Sequence, residues 1–426
     1  MQAALNLRCG RPNWQAKAVP HSGAHFSRAF LLYSAPLTVA TSHAIATPTR
    51  SERLVSLDVF RGLTIALMIL VNNNGDWENA YWPLQHSKWN GWTPTDLVFP
   101  FFVFIVGVSM VYSISSRLAR GDSKGTIMKH VLIRGFILLA IGILIINSFP
   151  NRYNFSTMRF EGVLQRIAIC YMVAAVFVLW GNTRTVVATI FTCLVGYWLL
   201  MRFVPVPGYG TPTHDMPLLD PDRNLAAWLD RKLFMGHLYE GTRDPEGVLS
   251  TIPAIAGCLC GVLTGALLRN DSHSLRKKSA WMFVFGVLGL GAGKFFDLWF
   301  PINKKLWTSS FVLFTAGFAL VVLSLCFWLL DVKKLRGKWT VPVLVFGMNA
   351  IAAYIFSEVL AEVFGAIHFH TASLGDTSLG GFLYETIFLR GGASTANTSL
   401  AYSISFVFVC WLVMYVLYRK KIFLKI

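Results

Sequence analysis

Ten long apolar stretches, each closed by a polar or charged connection, set the pattern of this chain. They fall at about 57–72, 95–116, 131–149, 163–180, 185–204, 251–268, 280–299, 309–330, 341–366 and 399–418. Each comes close to the roughly 20 residues that an α-helix needs to cross a bilayer core. The pattern predicts an all-α, polytopic integral membrane protein with about ten transmembrane helices. Two connections are long, at 205–250 and 367–398. The first is rich in Pro and Gly (P-V-P-G-Y-G-T-P-T), with a short helix expected around 223–235. Long ordered loops on one face commonly cover a site.

Residues 1–50 break the pattern. They carry Arg8, Arg11, Lys17, Arg28 and Arg50, and the first acid is Glu52. A disordered or over-called N-terminal extension is expected here, preceding a transmembrane domain over 51–426. The mildly apolar Phe30–Ala46 segment leaves a signal peptide open, and the acid-free composition leaves a transit peptide open.

Composition agrees with the membrane assignment, since 54% of the residues are hydrophobic and only 14% charged, where a soluble domain has roughly a quarter charged. The net charge of +17 would suggest nucleic acid in a soluble chain. Here the excess sits in short connections between spans, so no nucleic-acid partner is expected. Eighteen Lys and Arg, counting Arg134 at the start of the third run with the connection before it, fall in one alternating set of connections, against ten in the longer opposite set. The positive-inside rule then puts both termini in the cytoplasm and both long loops outside. The seven cysteines form no C-x-x-C pair, and neither a disulfide framework nor a metal site is expected.

One polar stretch stands out between the first two apolar runs, where Asn72, Asn73, Asn74, Asp76, Glu78, His86, Asn90 and Asp96 cluster. Ionisable side chains at membrane depth are costly, and that marks them as functional candidates. Acid–base chemistry in such a mouth needs a positioned base and donors for developing negative charge. His86 is the candidate base, because imidazole titrates nearest neutral pH; packing against Trp89 and Trp92 as a loop histidine is the alternative. Asn72 could donate to an oxyanion or cap the first helix. Asp96 could cap the second helix, orient His86 or bind substrate. Asp58 and Arg61, three apart, share a helix face and could pair. No P-loop, G-x-G-x-x-G or G-x-S-x-G occurs.

The stretch S-L-D-x-F-R-G, V-N and H-x-x-W-N-G-x-x-x-x-D-L-V-F-P-x-F-x-F-x-x-G (residues 56–107) resembles the heparan-α-glucosaminide N-acetyltransferase family. So do E-G-V-L-Q-R-I-A-I-C-Y (161–171), D-P-E-G-V-L-S-T-I (244–252) and G-M-N-A-I-A-A-Y (347–354), in the expected order, so the resemblance covers about residues 51–420. It implies transfer of an acetyl group from cytosolic acetyl-CoA to a glucosamine-like amino sugar on the outer side of a bacterial inner membrane. It also implies catalysis by His86, as base or transient acetyl carrier, and an active-site asparagine at Asn72. The longer N-N-N-G-D-W segment leaves Asn73 and Asn74 open for that role. Trp89, Asn90, Asp96 and Glu246 are the implied acceptor residues. Arg61, Gln165, Arg166 and Asn349 are the implied coenzyme residues, with polar bonding between helices as the alternative. Expected partners are acetyl-CoA as co-substrate without a metal, the acceptor sugar and the lipid bilayer, with a homodimer left open. The competing class is a sugar transporter, to which ten spans and the Gly-rich G-V-L-G-L-G-A-G-K run (286–294) are equally suited.

Overall fold

The computed structural model describes residues 54–149, 153–371 and 375–424; the expected N-terminal extension lies outside the described residues. The chain begins with α1 (Val55–Asn72), and a polar connection with two short 3-10 turns leads to α2 (Val98–Ala119). Then come α3 (Lys124–Ile141, continued in wider turns through Gly142–Asn147), α4 (Val163–Trp180), α5 (Thr183–Phe203) and the short α6 (Leu225–Phe234). Next are α7 (Thr251–Arg269), α8 (Leu275–Phe296), α9 (Ser309–Phe327, continued through Trp328–Val332), α10 (Val341–Met348) and α11 (Ala350–Ala366). A small antiparallel hairpin, β1 (His368–Thr371) and β2 (Gly375–Ser378), precedes α12 (Leu379–Leu383, continued through Tyr384–Leu389) and α13 (Ala396–Arg419). Among the described residues, nine helices are long and apolar enough to cross a membrane. The protein is therefore an all-α polytopic membrane protein, as the apolar pattern predicts.

Helix starts follow side-chain chemistry. Ser123, Asn182, Ser274 and Thr395 each accept from the backbone N–H three residues on, satisfying donors that no earlier turn can reach. Capping by Ser123 sets the third span at Lys124 rather than 131, so Lys129, His130 and Arg134 belong to the helix and not to a basic connection. The expected span 341–366 is corrected more deeply. It is a broken pair bent by 73° at Asn349, counting as the tenth span only if taken as one unit. Asn349 Nδ2 donates to the Ile422 carbonyl (3.1 Å), and its Oδ1 accepts from Leu424 N (3.0 Å). The segment after α13 thus supplies polar partners where the helix opens, as irregular backbone inside a membrane requires.

The centre of the bundle is α1, α2 and α7, with 61%, 72% and 67% of their apolar windows buried, against 22% for α3, α5, α8 and α13. α2 and α7 cross where a Cβ on Gly107 would overlap the Cys258 carbonyl and one on Gly261 the Phe104 carbonyl. Small residues let backbones approach where lipid supplies no hydrophobic drive for association. Three polar connections gather at one end of the bundle. Trp89 Nε1 donates to the Leu219 carbonyl (2.8 Å), Tyr81 Oη to Asn397 Oδ1 (2.6 Å) and Ser394 Oγ to Asp76 Oδ2 (2.6 Å). Both long loops therefore close over the connection that carries His86.

Candidate active site

The connection after α1 is shaped by its own polar side chains. Asn73 Nδ2 donates to the Ile69 carbonyl (2.8 Å) and Asn74 Nδ2 to that of Val71 (3.3 Å), closing the last turn of α1. Asn72 is left exposed, and its Nδ2 meets Glu358 Oε1 of α11 at 3.2 Å. Further on, Thr93 and Asp96 form a reciprocal capping box at the turn Pro94–Leu97. That box holds one carboxylate oxygen: Asp96 Oδ2 accepts from Ser87 N (3.1 Å), Thr93 N (2.9 Å) and Thr93 Oγ1 (3.1 Å).

The other oxygen, Asp96 Oδ1, lies 2.7 Å from His86 Nδ1. A carboxylate only accepts, so this contact assigns the ring proton to Nδ1 and leaves the lone pair on Nε2. The Asp96 side chain is closed to solvent while that of His86 is 40% exposed, so an incoming group meets the imidazole and not the acid. Trp89 and Trp92 have ring partners of their own. Arg243 stacks on Trp89 (5.2 Å), and Trp92 packs on Phe314 (4.8 Å) and Phe318 (6.0 Å).

Lys304 completes the mouth. Its Nζ is 3.4 Å from both His86 ring nitrogens, and such equidistance keeps it off the Nε2 lone-pair axis. The connection between α8 and α9 is strapped to the His86 loop by Gly91 N donating to the Ile302 carbonyl (2.7 Å) and Asn303 Nδ2 to Asn90 Oδ1 (3.2 Å). Its far side is locked by Trp307, a fully buried residue at φ +50 wedged against Phe99 and Phe311. A non-glycine residue keeps that conformation only where packing over-determines it. Burial pushes the Lys304 ammonium down, opposed by the charges of Glu246 and Asp96.

Behind Lys304 lies a charged wall. Arg166 stacks on the Trp307 indole (4.8 Å), donates to the Gly247 carbonyl (3.1 Å) and bonds to Ser250 Oγ. Arg159 binds Asp244 (2.5 Å) and Glu246 (2.5 Å). Burial works against the charge of Glu246, yet Arg159, Arg166 and Lys304 together hold its carboxyl below the usual range. Nearby Glu161 is pushed up to about 9 by burial, with Asp230 and Asp244 adding to the rise.

Of the residues named from sequence, His86, Asp96, Glu246 and Arg166 thus come together. Trp89 and Asn90 anchor loops beside them, and Gln165 Nε2 makes a long contact with the Glu161 carbonyl (3.5 Å). Arg61 and Asn349 belong to the other part of the bundle. Arg61 donates to Asp58 Oδ1 (3.2 Å), the Gly347 carbonyl (3.3 Å) and Ser109 Oγ (2.6 Å). It sits eleven residues before Asn72 on α1, about 16 Å along a helix. Sequence reasoning missed Lys304, Arg159 and Glu161. Lys304 is the sharpest omission: N-K-K between two apolar runs counts only as loop charge until the fold brings it across 218 positions to His86.

An apolar helical bundle with a carboxylate-held histidine in a polar mouth defines a polytopic membrane protein with a candidate acid–base site. Residues 53–292 match the family model for the catalytic region of heparan-alpha-glucosaminide N-acetyltransferase, and the chain belongs to that family. It is 33% identical over 428 residues to the Mus musculus protein of that name, covering 88% of this chain and 61% of the relative. To the Homo sapiens protein of the same name it is 32% identical over 432 residues, covering 88% and 60%. The chain thus spans about 60% of the length of the curated relatives it matches.

Proposed function

We propose that this protein transfers the acetyl group of acetyl-CoA to the amine of a glucosamine-like sugar. The observation that carries the reading is the 2.7 Å Asp96–His86 contact with Nε2 left open, within a chain of this family. The amine nitrogen attacks the thioester carbonyl and gives its proton to His86 Nε2. The tetrahedral oxyanion collapses, the C–S bond breaks, and the coenzyme thiolate leaves and takes up a proton. His86 stays oriented because Asp96 holds Nδ1–H, as in other carboxylate-supported histidine bases. Lys304 supplies positive charge beside the thioester carbonyl oxygen, where negative charge develops.

The lysine and arginine asymmetry supports an orientation with both termini in the cytoplasm of a bacterial cell and the His86 mouth outside the inner membrane. Acetyl-CoA then approaches from the cytoplasmic end, past Arg61, and the amino sugar from the other. Asn72 and Glu358 line the acceptor side, and the Glu246 carboxylate favours the charge of Lys304 against the opposing charge of Arg166.

The test is purified protein with labelled acetyl-CoA and a panel of amino sugars. Labelled N-acetyl product with stoichiometric free coenzyme A is expected, and His86→Ala should lower transfer by at least roughly a hundredfold, the low end of what a positioned base contributes. Near wild-type transfer by a folded His86→Ala protein rejects the assignment. The broken pair at Asn349 supports a second reading, since interrupted helices are common in transporters. Uptake of labelled sugar into vesicles without acetyl-CoA would favour it.

A further inference from the structure

We propose that the cleft between α2, α3 and α4 is a binding groove for an anionic phospholipid. α3 packs chiefly along α4 and hardly meets α2, which leaves a pocket of about 270 Å³. Its lining mixes two chemistries, with Arg117, His130, Arg134 and Tyr171 beside isoleucines that include Ile133 and Ile137. None of these residues belongs to the His86 site.

The charge in the groove is incompletely matched. Asp122 takes the Nε of Arg117 at 2.7 Å. Arg134 lies over the Tyr171 ring at 5.2 Å, and its buried Nε has no hydrogen-bond partner among the described residues. A guanidinium cannot shed its proton to escape that situation. Arg134 is ten residues past Lys124, about 15 Å into the span. Charged side chains at such depth mark a site that supplies a partner. Helical side chains lean toward the N-terminus, so the guanidinium reaches back toward His130 and the basic end of the cleft.

The source of the anion follows from where the groove opens. Leu132, Ile133, Phe136 and Ile137 on the flank of α3 are exposed, and little of this span is buried in the bundle, so the mouth faces hydrocarbon. A lipid phosphodiester can enter from there, with its phosphate between His130 and Arg134 and an acyl chain along Ile133 and Ile137. A soluble phosphate would leave those apolar side chains uncovered. Basic pockets between membrane helices suit anionic headgroups for the same reason.

The experiment is native mass spectrometry of the full chain in mixed micelles holding equal phosphatidylglycerol and phosphatidylcholine. Preferential retention of phosphatidylglycerol is expected, falling roughly fivefold in Arg134→Gln, the worth of one basic residue toward anionic lipid. Lys333→Gln, a basic residue outside the groove, should retain the preference. If Arg134→Gln does not fold, the exposed His130→Glu puts an acid at the mouth and should abolish the preference. Equal retention of both lipids, an unchanged preference in the folded groove variant, or displacement of the lipid by millimolar inorganic phosphate each overturns the proposal.

Discussion

Replacing Asp96 by asparagine separates the two tasks that one buried carboxylate performs. The side chain receives four contacts: one at Oδ1 from His86 Nδ1 and three at Oδ2 from Ser87 and Thr93. An amide offers one accepting oxygen, so it must choose. With its NH2 turned to the Oδ2 position it would face two backbone N–H groups, leaving buried donors unsatisfied at about 1–3 kcal/mol. The favoured orientation keeps the carbonyl there and aims the NH2 at His86 Nδ1. The imidazole must then accept at Nδ1, which moves its proton to Nε2 and removes the lone pair that the amine needs. The capping box survives, so the variant should fold with a modest loss of thermal stability. Turnover should drop by about a hundred- to ten-thousand-fold, the contribution of a positioned base. The assay follows coenzyme A thiol release and N-acetyl product together, with acetyl-CoA binding as the control. A stable Asp96→Asn protein with near wild-type kcat would refute the derivation, because no tautomer of that arrangement leaves Nε2 basic.

Other consequences concern charge and packing. Lys304→Gln should lower kcat more than it raises KM, by about a hundredfold, as when one donor to a developing oxyanion is lost; a change in KM alone would move Lys304 from the reacting centre to acceptor binding. Gly261→Val should destabilise the fold by about 1–3 kcal/mol in detergent melts, the usual cost of overpacking, because its Cβ meets the Phe104 carbonyl; an unchanged melting temperature would contradict the α2–α7 crossing. Glu161 keeps a proton up to about 9 in the folded protein against an ordinary 4.5, so folded molecules bind more protons than unfolded ones between those values, and stability falls as pH rises through that window. Glu161→Gln should therefore gain melting temperature relative to the parent as pH is raised, and a pH-independent difference would count against the buried, protonated acid.

How much of this was readable before the chain folded depends on the kind of interaction. A membrane span must satisfy its backbone internally, so helix number and approximate length follow from apolar run length alone. The H-x-x-W-N-G motif likewise carried His86 and Asp96 within ten residues of each other, close enough for local turns to pair them. Sequence left three roles open for Asp96, and the capping box shows that the cap and the contact to histidine are made together, by different oxygens of one carboxylate. Arg134 read as connection charge because hydropathy locates the apolar centre of a helix and not its capped start at Ser123.

Other features depended on tertiary structure alone. The break at Asn349 is stabilised by backbone groups at Ile422 and Leu424, some seventy residues on, and no local propensity encodes a partner that distant. Lys304 reaches His86 only because Asn303 grips Asn90, Gly91 grips Ile302 and Trp307 is held in a strained turn by its packing. Apolar periodicity specifies that a segment is helical and buried. Which charged side chains share a desolvated mouth is set by the crossings of helices and the straps between loops, and those arise only when the whole bundle has assembled.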